Sequence, residues 1–267
     1  MKKIEKIINY ITRSIYMDFQ YFLIDGSIFA KLVFVSKKYF ILLRHKFVPF
    51  KISNSIIKLF GRDYYYESDL GLVLYQVSLI HHRNMLKKLD LPIEKTVLFD
   101  IGANVGCFTL IYRDVYPKTF SYCFEPVPTV FECLKENLIN LDNCILENFA
   151  ISDVEGEFSF SYDSKNTEMG MINPNGNIRV TTKKLDEYIL DKNIDHIDFL
   201  KIDTETFEKH VLLGGTKALS LTKYLLIEIN FEKGNKNYTV PELTSLLKSD
   251  LYSFQLFYHF LQRNSKT

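Results

Sequence analysis

The sequence predicts an α/β fold, a mostly parallel sheet flanked by helices, preceded by an N-terminal extension of helices and a hairpin. Three observations point there. From Thr96 onward, short apolar strands alternate with helical stretches of about 10 to 15 residues, the pattern of successive βα units. The first of those strands runs straight into a glycine turn, Gly102-Ala103-Asn104-Val105-Gly106, that opens a helix. Before Pro92 the periodicity is of another kind, which divides the chain into an extension, residues 1–92, and a domain, residues 93–267.

Taken in order, Ile4, Ile7, Ile8, Ile11 and Ile15, then Phe19, Phe22 and Leu23, recur at mixed helical spacing, so residues 4–47 predict helices. Residues 51–66 are rich in β-branched and aromatic side chains around Gly61-Arg62-Asp63 and predict a hairpin. Residues 69–89 predict one amphipathic helix, closed off by Pro92. The domain then predicts strands at 97–101, 120–125, 145–151, 198–203 and 224–230, with helices at 105–114, 128–141, 208–220 and 241–249. Between the third and fourth strands, residues 157–162 and 178–182 alternate about the turn Asn173-Pro174-Asn175-Gly176, which predicts an inserted hairpin.

Composition narrows the function classes. The 267 residues are 47% hydrophobic and 24% charged, ordinary for a globular chain. With 33 basic and 32 acidic side chains there is no overall field to attract nucleic acid. The charge is uneven, however: Lys2, Lys3, Lys6, Arg13, Lys31, Lys37, Lys38, Arg44, Lys46, Lys51 and Lys58 stand against Glu5, Asp18 and Asp25 in the first sixty residues. That excess reads first as a solvated helical face, and alternatively as a peripheral membrane contact or part of an acceptor site. Polar residues from Glu5 to Asp18 break up any signal-type core, and no apolar run reaches the roughly 18 to 20 residues of a transmembrane segment. Cys107, Cys123, Cys133 and Cys144 form no C-x-x-C pair and read as reduced core thiols, so a soluble, cytoplasmic protein is expected.

The glycine turn carries the chemistry. Glycine at 102 and 106 lets backbone approach a ligand where a Cβ would collide, and the helix beyond offers N–H groups to an anion such as an amino-acid carboxylate. Asp100, ending the strand, would receive that ligand's ammonium. Glu125, ending the second strand before Pro126, is placed to accept hydrogen bonds from both hydroxyls of a ribose. A nicotinamide dinucleotide is the competing ligand, but it wants a third glycine where Asn104 stands.

Phe99-Asp100-Ile101-Gly102-Ala103-Asn104-Val105-Gly106, Phe124-Glu125-Pro126 and Phe199-Leu200-Lys201-Ile202-Asp203-Thr204-Glu205 together resemble the FkbM-type methyltransferase family, in order and spacing. The resemblance extends over residues 69–230. It implies the class I methyltransferase (Rossmann-like) fold and methyl transfer from S-adenosyl-L-methionine, usually to a hydroxyl of a saccharide or secondary metabolite. It also implies that Asp100, Gly102, Ala103, Asn104, Gly106, Glu125 and Pro126 hold the cofactor, with Ala150 beside the adenine. Thr206 stands where the family pattern has glycine, so the turn there must avoid positive φ or tolerate its cost. After Pro241 there is length for one helix and one strand, residues 252–260, where the class I fold usually ends in a two-strand hairpin.

Transfer to an alcohol needs two positioned reactants and a base. Asp203 and Glu205 at the end of the fourth strand, and Glu228 near the end of the fifth, converge on the sheet edge where α/β folds bind ligands. Strand alternation would turn Asp203 and Glu205 to one side, with Lys201 beside them. The plainer role for the first two is capping the helix near Glu208, and for Glu228 pairing with Lys201. None of His81, His82, His196, His210 and His259 is assigned a role, and no metal is expected: no cluster has metal-ligand spacing, although Asp203, Glu205 and Glu228 are of the type that binds a hard cation. Two other classes remain in view: a cofactor-binding protein that supports assembly of glycan enzymes without catalysis, and a nucleic-acid methyltransferase. Intact Asp100 and Glu125 weigh against the first, and the missing N-P-P-Y, D-P-P-Y and Pro-Cys motifs against the second.

Overall fold

A computed structural model describes residues 15, 18–19, 22, 28–45, 52–59, 62–68, 82–162, 171–172, 175–229 and 239–247. The elements are α1 (Ile28–His45), β1 (Ile52–Leu59), β2 (Arg62–Ser68), β3 (Thr96–Ile101), α2 (Cys107–Val115), β4 (Thr119–Phe124), α3 (Pro128–Leu138), β5 (Cys144–Glu147), β6 (Ala150–Ile151), β7 (Gly156–Ser161), β8 (Met171–Ile172), β9 (Ile178–Lys183), α4 (Leu185–Asp191), β10 (Ile197–Ile202), α5 (Glu208–Leu213), α6 (Thr216–Ser220), β11 (Thr222–Ile227) and α7 (Val240–Leu246).

The central sheet has five strands in the order β11-β10-β3-β4-β5, every neighbouring pair parallel. Strand alternation assigns side chains to its two faces. Leu98 and Phe199 point into one cluster with Phe108, Ile111 and Tyr112 of α2, while Val97, Phe99, Ile101, Leu200 and Ile202 point into the other with Tyr122, Phe124 and Tyr188. Phe34 of α1 and Leu86, within the helical residues 82–86, join the first cluster. The order reverses between β3 and β10, and that crevice is where an open parallel sheet offers a ligand site.

The extension's hairpin is present as antiparallel β1 and β2, although Arg62 and Asp63, read as turn, belong to β2. Residues 60–61, most of 1–27, residues 69–81 of the long amphipathic helix, and the strand at 252–260 lie outside the described residues.

Two readings of the domain are corrected. The third strand is two strands: β5 ends at Glu147, and Ala150–Ile151 pairs instead with β9 in a second, four-stranded sheet ordered β6-β9-β7-β8. The cause sits at Asn148, whose side-chain amide donates to the carbonyls of Glu125 (2.8 Å) and Pro126 (3.2 Å), turning the chain out of the ladder. The helix expected at 208–220 is broken at Gly214-Gly215 into α5 and α6, and residue 214 must be glycine because a Cβ there would lie 2.0 Å from the Ser152 carbonyl oxygen. Asp186 then caps α6 from outside, accepting from the Lys217 and Ala218 N–H groups at 3.0 and 2.9 Å. Asp186 itself belongs to α4, a helix absent from the sequence reading. The inserted hairpin stands as β7 against β9, with β8 added at its edge. All four cysteines are free thiols.

Phe99 is fully buried at the sheet's centre, stacked on Tyr122 at 4.7 Å and edge-on to Tyr188. Phe99→Ala should cost about 3–5 kcal/mol, read as a lower urea midpoint with an unchanged m-value.

Candidate functional site

The turn after β3 is built from left-handed backbone. Gly102, Asn104 and Gly106 have φ of 74°, 51° and 89°. At Gly102 a Cβ would stand 1.9 Å from the Asp203 carbonyl oxygen, so glycine is required both by conformation and by the closeness of the neighbouring loop. Asn104 holds its own conformation by accepting from the Val105 N–H at 2.7 Å. Gly106, left-handed, delays α2 to Cys107, two residues later than expected, and no side chain caps that helix. Ala103 is buried, and its N–H, like that of Gly102, donates to the Phe124 carbonyl at the tip of β4.

Glu125 grips the same turn from β4. Its carboxylate accepts from the Asn104 N–H at 3.0 Å and the Val127 N–H at 2.9 Å, uniting the turn with the start of α3. Pro126 sits between, its carbonyl held by Asn148. Ala150 lies beyond the β5 break, in the second sheet opposite Thr182.

Asp100 and Lys201 are cross-strand partners on β3 and β10. Asp100 is 0% exposed; it accepts from the Thr109 hydroxyl at 2.7 Å and faces the Lys201 ammonium at 3.3 Å. Lys201 is 5% exposed and reaches three groups at once: Asp100, Asp203 at 3.2 Å and the Gly102 carbonyl at 2.8 Å. Burial alone would push the ammonium toward neutrality, but the carboxylates of Asp203, Asp100 and Glu228 outweigh it and raise Lys201 above the usual lysine value. The structure therefore brings Asp100, Gly102, Asp203 and Glu228 around one buried cation. Glu228 follows β11 and is exposed, its N–H donating to the Ile202 carbonyl.

The strand β10 ends at Ile202, so alternation does not govern Asp203 and Glu205; they belong to a loop. Glu205 and Thr206 both take positive φ, 51° and 85°, so the turn accepts the strain that a glycine would have avoided. Neither acid caps α5, whose N-cap is Phe207 with no side-chain bond. The loop is held instead by buried Glu208, which accepts from the N–H groups of Thr204 and Thr206 at 3.1 and 3.2 Å and from the Thr204 hydroxyl at 3.2 Å. The organising roles of Thr109, Asn148 and Glu208 were not apparent from their positions in the chain, whereas Lys201, a charge inside an apolar strand, announced itself.

The residues suit a cationic amino-acid nucleoside. Among the described residues acids outnumber the buried Lys201 at the crevice, the turn presents backbone to a ligand, and a carboxylate offers about four acceptor positions, of which Glu125 gives one on each oxygen to the turn and to α3. Residues 100–254 match the Methyltransferase FkbM domain family, more than half of the chain. The chain belongs to that family. As an FkbM-family domain it is an S-adenosyl-L-methionine-dependent methyltransferase. Among its relatives, the 2-O-methyltransferase NoeI of Sinorhizobium fredii is 29% identical over 170 residues, covering 57% of this chain and 69% of that protein. Hexuronic acid methyltransferase AglP of Haloferax volcanii is 28% identical, covering 55% and 61%, and 31-O-demethyl-FK506 methyltransferase FkbM of Streptomyces tacrolimicus 27%, covering 44% and 58%.

Two outcomes follow from the buried cation. Lys201→Met leaves Asp100 as an uncompensated buried carboxylate and should cost about 3–5 kcal/mol; adding Asp100→Asn should restore part of it in urea unfolding. Because the Lys201 value is raised, its contribution is complete below the ordinary lysine value and lost only as pH rises beyond it. Unfolding of the native protein between about pH 6 and pH 9 should accordingly show no Lys201-dependent slope.

Proposed function

We propose that this methyltransferase transfers a methyl group to a hydroxyl oxygen of a saccharide or related small-molecule acceptor. The observation that carries the reading is the agreement among the relatives: two are named for transfer to an oxygen and one for a hexuronic acid. The bound cofactor would supply an electrophilic methyl on a sulfonium. The turn from Gly102 to Gly106 would seat its amino-acid end, Asp100 would balance its charge from below, and Glu125 would take its ribose hydroxyls while keeping hold of the turn. Pro126 and Ala150 would border the adenine.

The acceptor would enter over the loop from Asp203 to Thr206. Asp203 or Glu205 would take the proton that the acceptor hydroxyl gives up on methylation. Glu228, at the rim, would add to the negative field that favours a cationic ligand. Lys201 holds Asp203 in place, and Glu208 holds the backbone that carries Glu205.

Purified protein incubated with labelled S-adenosyl-L-methionine and separated glycans, lipids, small metabolites, protein and nucleic acid should label the saccharide or small-molecule fractions. Label confined to protein or nucleic acid would refute the acceptor class. Glu125→Ala should weaken cofactor binding by about tenfold or more in calorimetry. Asp203→Asn and Glu205→Gln should each leave binding near normal, and the variant of the proton acceptor should lower kcat by about a hundredfold or more. Binding lost equally in Glu125→Ala and Asp203→Asn would make Asp203 a cofactor ligand.

A further inference from the structure

The extension contains a helix whose apolar side chains point two ways. One face of α1 is committed inward: Phe34 is completely buried among Leu86, Tyr112 and Phe199, and buried Lys31 donates to the Phe22 carbonyl at 3.2 Å. The other face is a stripe open to solvent. Ile28 is 68% exposed, Phe29 75% and Phe40 65%, with Leu32 and Val33 exposed between them. These positions fall within one arc of a 3.6-residue helix, so they form a continuous surface rather than scattered singles. Phe19 and Ile15, also helical, are exposed as well.

The charge around the stripe chooses its occupant. Besides the buried Lys31, the 18 residues of α1 include Lys37, Lys38 and Arg44 and no acid. The first sixty residues carry the eleven basic side chains named earlier against three acids, while the rest of the chain carries more acids than bases. A second copy docking through this face would set two strongly basic segments against each other, which is costly. A bilayer with anionic headgroups accepts both features, since the apolar stripe enters the acyl boundary and the cations meet the phosphates. No helix among the described residues is long and apolar enough to cross a membrane, so such contact would lie in the plane of the surface.

We infer that α1 docks this methyltransferase on an anionic lipid surface through Ile28, Phe29, Leu32, Val33 and Phe40. The inference is independent of the acceptor class, because none of these residues belongs to the site at the ends of β3 and β10. The full chain should co-sediment with vesicles of phosphatidylcholine mixed with phosphatidylglycerol, bind vesicles of phosphatidylcholine alone far more weakly, and release as salt is raised. The double variant Phe29→Ser, Phe40→Ser should lower affinity for the mixed vesicles by about tenfold or more. Its melting temperature and its affinity for S-adenosyl-L-methionine should match the native protein. Equal vesicle binding by variant and native protein would overturn the inference, as would no binding by either. A native dimer in light scattering that the variant reduces to monomer, without vesicle binding, would assign the face to a second copy instead.

Discussion

A single buried ammonium organises the ligand end of this domain. Lys201 rises from β10 between two carboxylates and a carbonyl, each from a different segment: Asp100 from β3, Asp203 from the loop after β10, and Gly102 from the glycine turn. A lone charge at that depth is strongly unfavourable, and so is a lone carboxylate at Asp100. Neither segment can withdraw without stranding a charge. The crevice where the strand order reverses is therefore closed at its floor by electrostatics, while its walls are closed by packing on the two sheet faces.

The turn is also anchored from the other side. Glu125 bonds the N–H of Asn104 and that of Val127, so the tip of β4 and the start of α3 move with the turn. The Gly102 carbonyl faces Lys201 and its N–H faces Phe124. Four chain segments thus meet at a turn only a few residues long. A left-handed glycine with a neighbouring carbonyl where its Cβ would be is what lets them meet so closely.

How much of this the sequence disclosed depends on the range of the interaction. Strands β3, β4, β10 and β11 were legible to within about three residues, because apolar runs ending at Asp100, Glu125 and Asp203 are local signals. The glycine turn was legible for the same reason. The split of the third strand was not, since it depends on Asn148 finding carbonyls of residues 125 and 126. The need for glycine at 214 depends likewise on the approach of Ser152, and the cap of α6 on Asp186, some thirty residues away along the chain. Thr206 shows the limit from the other direction: its identity raised the question of strain, but only Glu208, which bonds two of the loop's N–H groups, shows what sustains the answer.

That loop has one more implication. Left-handed backbone at a residue other than glycine costs about 1–2 kcal/mol, and here Glu205 and Thr206 adopt it in succession. The expense falls on folding, where the whole core can offset it, and not on the encounter with an incoming molecule. A preorganised rim of this kind loses little entropy on complex formation. It should therefore discriminate among acceptors by the shape it already has, in the manner of a rigid template rather than a closing hand.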